Sequence, residues 1–153
     1  MVAFKDLGLS VNEELIEAEV NGKKFHIKKY LPIEKKASII NLAVNGSVIN
    51  GIVNEVFMDA YFHLFLIEHY TDISFEDVSP EEALACFDAL SSNDLLDEII
   101  SKIPESEFEY MYVVLQTTKN LVNEYQRSPA ITAREGKEAV ELLSRIEQYK
   151  NKK

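Results

Sequence analysis

Leu15-Ile-Glu-Ala-Glu-Val-Asn-Gly-Lys-Lys-Phe-His-Ile-Lys-Lys-Tyr30 consists of two short alternating runs divided by Asn21-Gly22. Asn-Gly between alternating runs is the strongest short-range hairpin signal, because both central residues of a type I′ turn need positive φ. A two-residue turn also sets the register. Val20 faces Lys23, Glu19 faces Lys24, Ala18 faces Phe25, Glu17 faces His26 and Ile16 faces Ile27. Ile16, Ala18, Phe25 and Ile27 then share one face, and Glu17, Glu19, Lys24 and His26 the other. Opposite charges paired across strands add ~0.2–1 kcal/mol each. A lone hairpin is marginal in water, so its apolar face must pack on the remainder of the chain.

After Tyr30 the period changes from two to 3.6. Pro32 suits the first position of a helix, where its missing N–H costs nothing. Ile33, Ala37, Ile40 and Val44 recur at helical spacing, and Gly46 is a stop. Ser47 to Val53 reads as a loop with a second turn signal, Asn50-Gly51, and Val48, Ile49 and Ile52 leave room for an extra strand. Asn54 caps a second helix reaching about Tyr70. Phe57, Tyr61, Leu64 and Phe65 lie on one side of it, broadened by Val56, Ala60 and Ile67, as expected of the central helix of a core.

Thr71 to Val78 is a connection. Ser79-Pro80-Glu81-Glu82 supplies an N-cap, a proline and a capping-box acid, opening a helix to about Leu90 that is expected to bury Leu84, Phe87 and Cys86. Ser92 or Asn93 opens a short helix with Leu95, Leu96, Ile99 and Ile100. Pro104, Glu105 and Glu107 begin a longer one whose stripe is Phe108, Met111, Leu115, Val122 and Tyr125, its acids favoured by the helix dipole. After Ser128-Pro129 a last helix is expected over about Thr132 to Tyr149. The fold class is mainly α: an N-terminal β-hairpin followed by a compact bundle of five or six helices. Residues 1–128 form the hairpin and helical domain, and 129–153 a C-terminal helix that either packs on that domain or serves as an interaction arm.

With 153 residues, 46% of them hydrophobic, the chain suits one folded domain. A formal net charge of -10 argues against nucleic-acid binding, since phosphate needs a basic footprint. Met1 to Ser10 holds Lys5 and Asp6 without a sustained apolar run, so no secretion signal is expected. The greasy stretch Ala60 to Ile67 is interrupted by His63 and falls far short of the ~20 residues of a bilayer span. A cytoplasmic location without membrane contact is the expectation.

Little in the chain points to catalysis, and no cofactor or metal is expected. Cys86, the single cysteine, excludes an internal disulfide and reads as a small hydrophobe among Leu84, Phe87 and Leu90. Asp59 and His63 are four apart, two ligands towards a metal, but His69 falls on another face and no third ligand converges. His26 opposite Glu17 reads as an ordinary cross-strand pair. The basic run Lys23, Lys24, Lys28, Lys29, Lys35 and Lys36 is offset by Glu13, Glu14, Glu17 and Glu19. Seven Tyr and eight Phe accompany no Trp. Most belong in the core, but Tyr110, Tyr112 and Tyr125 on one helix, with Tyr149, are placed to anchor a partner helix. The narrow stripe Ala139, Leu142, Leu143, Ile146 and Tyr149 is suited to pairing with another chain or with its own core. Tyr110, Tyr125, Leu142, Leu143, Ile146 and Tyr149 are the candidate partner-binding residues, and self-association is a second expectation.

The segments Glu19-Val-Asn-Gly-Lys-Lys-Phe-His-Ile-Lys-Lys-Tyr-Leu-Pro-Ile-Glu-Lys-Lys36, Tyr61-Phe-His-Leu-Phe-Leu-Ile-Glu-His-Tyr-Thr-Asp-Ile-Ser-Phe75 and Ile99-Ile-Ser-Lys-Ile-Pro-Glu-Ser-Glu-Phe108 resemble small proteins encoded among the head and tail genes of Gram-positive bacteriophages. The resemblance runs over about Glu19 to Ser128. Within that group the chain is similar in size, acidity and layout to the tail assembly chaperones of long-tailed phages. The resemblance implies a non-enzymatic protein that holds the tape-measure protein and recruits tail-tube subunits, through an acid-rimmed groove that takes amphipathic helices. Its motifs are soft patterns, and they assign no residue a role. A neck or head-completion subunit of the virion, or a small acidic inhibitor of a host defence protein, fits the same residues.

Overall fold

The computed structural model describes residues 1–127, together with the isolated positions Leu142 and Arg145. A hairpin of β1 (Leu15–Val20) and β2 (Lys23–Lys28) leads into α1 (Ile33–Asn45). A second small hairpin, β3 (Val48–Ile49) and β4 (Ile52–Val53), precedes α2 (Glu55–Tyr70). Then come α3 (Ala83–Ser92), α4 (Leu96–Ile100) and the long α5 (Glu105–Arg127). The architecture is mainly helical, with two separate two-stranded sheets.

The first hairpin has the register its turn dictates, from Val20 opposite Lys23 to Leu15 opposite Lys28. Asn21 and Gly22 take φ of 53° and 77°, as the type I′ turn requires. Phe25, Ile27 and Val20 are buried, with Ile16 and Ala18 half-buried beside them, while Glu17, Glu19, Lys24 and His26 are exposed. Ile27 bridges to Thr71, which seats the hairpin against the end of α2. Asn50-Gly51, with φ of 54° and 79°, makes the second I′ turn, so the stretch read mainly as a loop is a hairpin. Its β4 is held by the Asn123 side chain, which accepts from the Val53 N–H at 2.9 Å.

α2 is the centre of the molecule and packs on α1, α3 and α4. Asn54 caps it, accepting from the Phe57 N–H at 3.0 Å. Its deepest side is Met58, Phe62, Leu66, Ile67 and Tyr70. Of the expected face, Ala60, Leu64 and Ile67 are buried, and the rest is not. Phe57, Tyr61 and Phe65 are half-buried and Val56 is exposed, because a helix apolar almost all round gives periodicity little contrast to locate its inner side. α1 buries Ile39, Ile40, Ala43 and Val44, and leaves Ile33 exposed. Pro32 stands one residue before the first helical position rather than in it.

The expected cap at Ser79 does not form: its hydroxyl donates to the Glu82 carboxylate at 3.1 Å instead of accepting a backbone N–H, and a short 3-10 turn delays α3 to Ala83, which has no side-chain cap. α3 buries no residue fully: Leu84, Cys86 and Phe87 are half-buried, since this helix covers α2 from one side only. Ser92 ends α3 and Asn93 follows it, so neither opens α4. Asp94, at φ 59°, makes the reversal instead. α5 lays Met111, Leu115, Thr118 and Val122 against α1 and β4. The expected helix over Thr132 to Tyr149 lies outside the described residues, except that Leu142 is helical and half-buried and Arg145 helical and exposed.

One buried hydroxyl, Ser38 Oγ, has no partner among the described residues. An unsatisfied buried polar group costs stability, so Ser38→Ala is expected to raise the unfolding free energy by about 1 kcal/mol in urea titration; a loss of stability would show that the hydroxyl is satisfied in solution.

Candidate functional site

α5 carries two faces. The inward one is the stripe that ends on Val122. A second one follows Tyr110, Val114, Thr117, Leu121 and Tyr125, spaced four, three, four and four apart, the rhythm of a helix seam. Tyr110 and Tyr125 are 49% and 41% exposed and Val113, beside the seam, 63%, while Val114 and Leu121 are half-buried. The sequence-predicted tyrosines therefore stand at the two ends of a half-covered apolar stripe. Leu143, Ile146 and Tyr149 lie outside the described residues, so their relation to this stripe is not described.

Tyr110 also belongs to an arrangement that sequence reasoning missed. The Lys36 ammonium lies 4.0 Å from the centre of the Tyr30 ring and 5.4 Å from that of Tyr110, favourable cation–π geometry. Beneath it, Glu107 Oε2 accepts from Lys36 Nζ at 3.0 Å, and Oε1 accepts from the Leu31 N–H at 3.0 Å and the Tyr70 hydroxyl at 3.1 Å. Both charged side chains are nearly sealed from solvent. Burial, then the Glu107 carboxylate beside it, pushes the Tyr70 phenol above its ordinary range, so it stays protonated and donates. Lys36 was grouped with the surface lysines. It is in fact interior, and the signal was present: Lys36 stands four and seven residues before Ile40 and Ala43, and Glu107 four and eight before Met111 and Leu115. Opposite charges on the buried stripes of two helices are a readable pair. The two Glu107 oxygens thus take donors from three elements, and the group is a structural clasp joining α1, α2 and α5.

Tyr112 stands on the other flank of α5, 42% exposed and stacked on Phe108 at 6.1 Å. Phe108 meets Phe62 and His63, and His63 meets Phe87, each at 6.0–6.4 Å between ring centres. His63 Nδ1 donates to the Asp59 carbonyl at 2.7 Å, with the Asp59 carboxylate at 3.5 Å. The imidazole is thus packed among three phenylalanines. Among the described residues no three His, Cys, Asp or Glu side chains gather in a way that holds a metal, and His69 Nδ1 donates to the Phe65 carbonyl instead.

His26 does not pair with Glu17. Glu17 reaches Lys24 at 4.0 Å, while Asp72, from the segment after α2, accepts the His26 N–H at 2.9 Å and lies 3.1 Å from His26 Nδ1. Strand register located the residue opposite His26, but could not foresee a carboxylate 46 positions away. The His26 backbone N–H, then its side chain, hold the Asp72 carboxyl below its usual range, and Lys29 does the same for Glu14. A depressed carboxylate pKa contributes stability that is present above the unfolded value and lost as pH falls through the folded one. The melting temperature is therefore expected to decline below about pH 4, and Asp72→Asn to flatten part of that decline; an unaltered profile would remove Asp72 from the account.

A cleft of about 450 Å³ opens between α2, the end of α1 at Leu42 and Gly46, and the segment that leads into α3. Tyr61, Leu64 and Phe65 form its α2 wall, Phe75, Val78 and Ala83 the facing wall, and Glu68 is its acid. Here the flank of α2 that periodicity took for the core is half in use. Cys86 sits in a smaller apolar recess with Ile67, Phe75 and Ile99. Among the described residues no helix is long and apolar enough to cross a membrane. No protein-family model matches the sequence, and comparison with curated proteins and with solved structures gives no significant match.

Proposed function

We propose that the protein works without catalysis in virion assembly, as a tail assembly chaperone that holds the tape-measure protein until tube subunits surround it. The observation that carries the reading is the second face of α5. Its seam spacing and terminal tyrosines suit an amphipathic helix laid alongside, the partner supplying anchors at i, i+3, i+4 and i+7. Tyrosine contributes large, stiff contact area with a polar tip, which is why it is enriched at binding hot spots. The net charge of -10 keeps such an exposed surface soluble and favours a basic partner. The phage assignment comes from the resemblance of the three segments quoted above.

Co-expression with the long helical protein of the same gene neighbourhood tests the reading. The two are expected to co-purify, and Tyr110→Ser with Val113→Ser and Tyr125→Ser to weaken binding by roughly 30-fold or more, beyond the modest drop in melting temperature that follows from taking the Tyr110 ring away from Lys36. Mass spectrometry of finished particles is expected to find the protein absent. Stoichiometric presence in the particle would replace the chaperone reading with that of a neck or head-completion subunit. Intact binding by the triple variant would move the site away from α5.

A further inference from the structure

α5 ends at Arg127, and its second face keeps Tyr110, Val113 and Tyr125 exposed. Ser128-Pro129 follows, and the sequence expects the next helix from about Thr132. Proline cannot carry α5 onward unbroken, and a connection as short as residues 128–131 is of the length that joins antiparallel neighbours. The lengths match. At ~1.5 Å a residue, Tyr110 to Tyr125 covers about 22 Å and Thr132 to Tyr149 about 26 Å. Leu142, on the expected stripe, is helical and half-buried, while Arg145 on its flank is exposed, the pattern of a helix covered on its apolar side. Charge is divided too. Residues 129–153 hold six Lys or Arg against four Glu, a net charge of +2, whereas residues 1–128 hold ten Lys or Arg against twenty-two acids, a net charge of -12.

We propose that residues 129–153 fold back along the second face of α5 as a cover of the chain's own, which a partner helix has to displace. Turning about Pro129-Ala130 sets the register. Leu121 comes beside Ala139, Thr117 beside Leu142, Val113 beside Ile146 and Tyr110 beside Tyr149. Both stripes advance by three- and four-residue steps, in opposite directions, so these pairs meet without a shift. The same register brings Lys150, Lys152 and Lys153 to the start of α5, where Glu105 and Glu109 are exposed. The basic end of the cover then lies along the acidic end of α5, and each charge also suits the helix terminus that carries it. While the cover is in place, the apparent affinity for a partner falls with the fraction of chains left open. The displacement rests on the chaperone reading; the cover does not, and it is measured without a partner.

A nitroxide is placed on the full chain through Asn151→Cys with Cys86→Ala, which spares the stripe and every charge. In an isotope-labelled chain carrying it, the amide signals of residues 105–114 are expected to lose most of their intensity, and Leu142→Asp with Ile146→Asp to bring them back. An isotope-labelled copy without the nitroxide, mixed with an unlabelled copy that has it, is expected to keep full signals. Signals that stay sharp throughout the labelled chain overturn the proposal. So does broadening centred on residues 75–83 beside the cleft, broadening carried from one copy to another, or broadening indifferent to the double substitution. With the co-expressed helical partner, Leu142→Asp with Ile146→Asp is expected to tighten capture by roughly 10-fold. Unchanged capture overturns the displacement. No capture by either chain, with the cover seen, ends the chaperone reading and the displacement with it, while the cover stands.

Discussion

Glu107→Ala is expected to cost about 3–5 kcal/mol, the usual range for breaking a buried ion pair by removing one partner. The variant leaves three donors stranded: the Lys36 ammonium, the Leu31 N–H and the Tyr70 hydroxyl, all of which now end on the two Glu107 oxygens. Lys36→Met is expected to cost less. Glu107 then keeps two of its three donors, and the methionine stem still lies against Tyr30 and Tyr110. Replacing both, as Lys36→Met with Glu107→Leu, is expected to recover much of the loss, because no unpaired charge remains and only the Leu31 N–H and Tyr70 hydroxyl go without their acceptor. Urea unfolding of the wild type, Lys36→Met, Glu107→Leu and the double variant closes the cycle and gives the coupling energy. A Glu107→Ala loss below about 1 kcal/mol would mean that water reaches the pair, and that the clasp is a surface bridge.

The clasp also shows where sequence reading stops. Local rules located the elements well. Asn21-Gly22 and Asn50-Gly51 specify positive φ, Asn54 specifies a cap, and each acts within four residues of itself. Burial was legible where one face is clearly richer, as in α5, whose Met111, Leu115 and Val122 were all expected inside. It was only partly legible in α2, whose apolar residues spread round the helix, so that the inner side is decided by what α1 and α4 bring to it. Long-range polar pairing was the least legible. Glu107 joins Lys36 across 71 positions and Asp72 joins His26 across 46; spacing puts Lys36 and Glu107 on inward stripes, but nothing local puts Asp72 beside His26. The candidate surface divides the same way. The tyrosines of α5 were named from sharing one helix, whereas the half-covered Val114 and Leu121 between them, and Tyr125 on that face rather than on the inward stripe, needed the fold.

Replacing Asn21-Gly22 by Val-Val is expected to destabilise the domain by about 3 kcal/mol, since a left-handed conformation costs ~1–2 kcal/mol per residue and a β-branched side chain tolerates it least. For a chain of this size the melting temperature should fall by roughly 6–12 °C. Gly22→Ala alone is expected to cost only about 1 kcal/mol: at φ 77° the added Cβ meets nothing within 4 Å, so strain is the whole penalty. The same Val-Val replacement at Asn50-Gly51 is the informative contrast. Its φ values are nearly identical, so local strain alone would predict an equal loss. Yet β3 and β4 make only two residue pairs, and Ile49 and Ile52 are exposed. That hairpin can relieve the strain by opening, at the cost chiefly of Val53 and its bond to Asn123, which caps the loss below that at the first turn. The first hairpin has no such exit, because opening it would expose Val20, Phe25 and Ile27 together with their bridge to Thr71. Equal losses at the two turns, in matched thermal melts, would show that turn strain rather than core attachment governs the first hairpin. A larger loss at Asn21-Gly22 is the result expected if its apolar face is part of the core on which the helices are built.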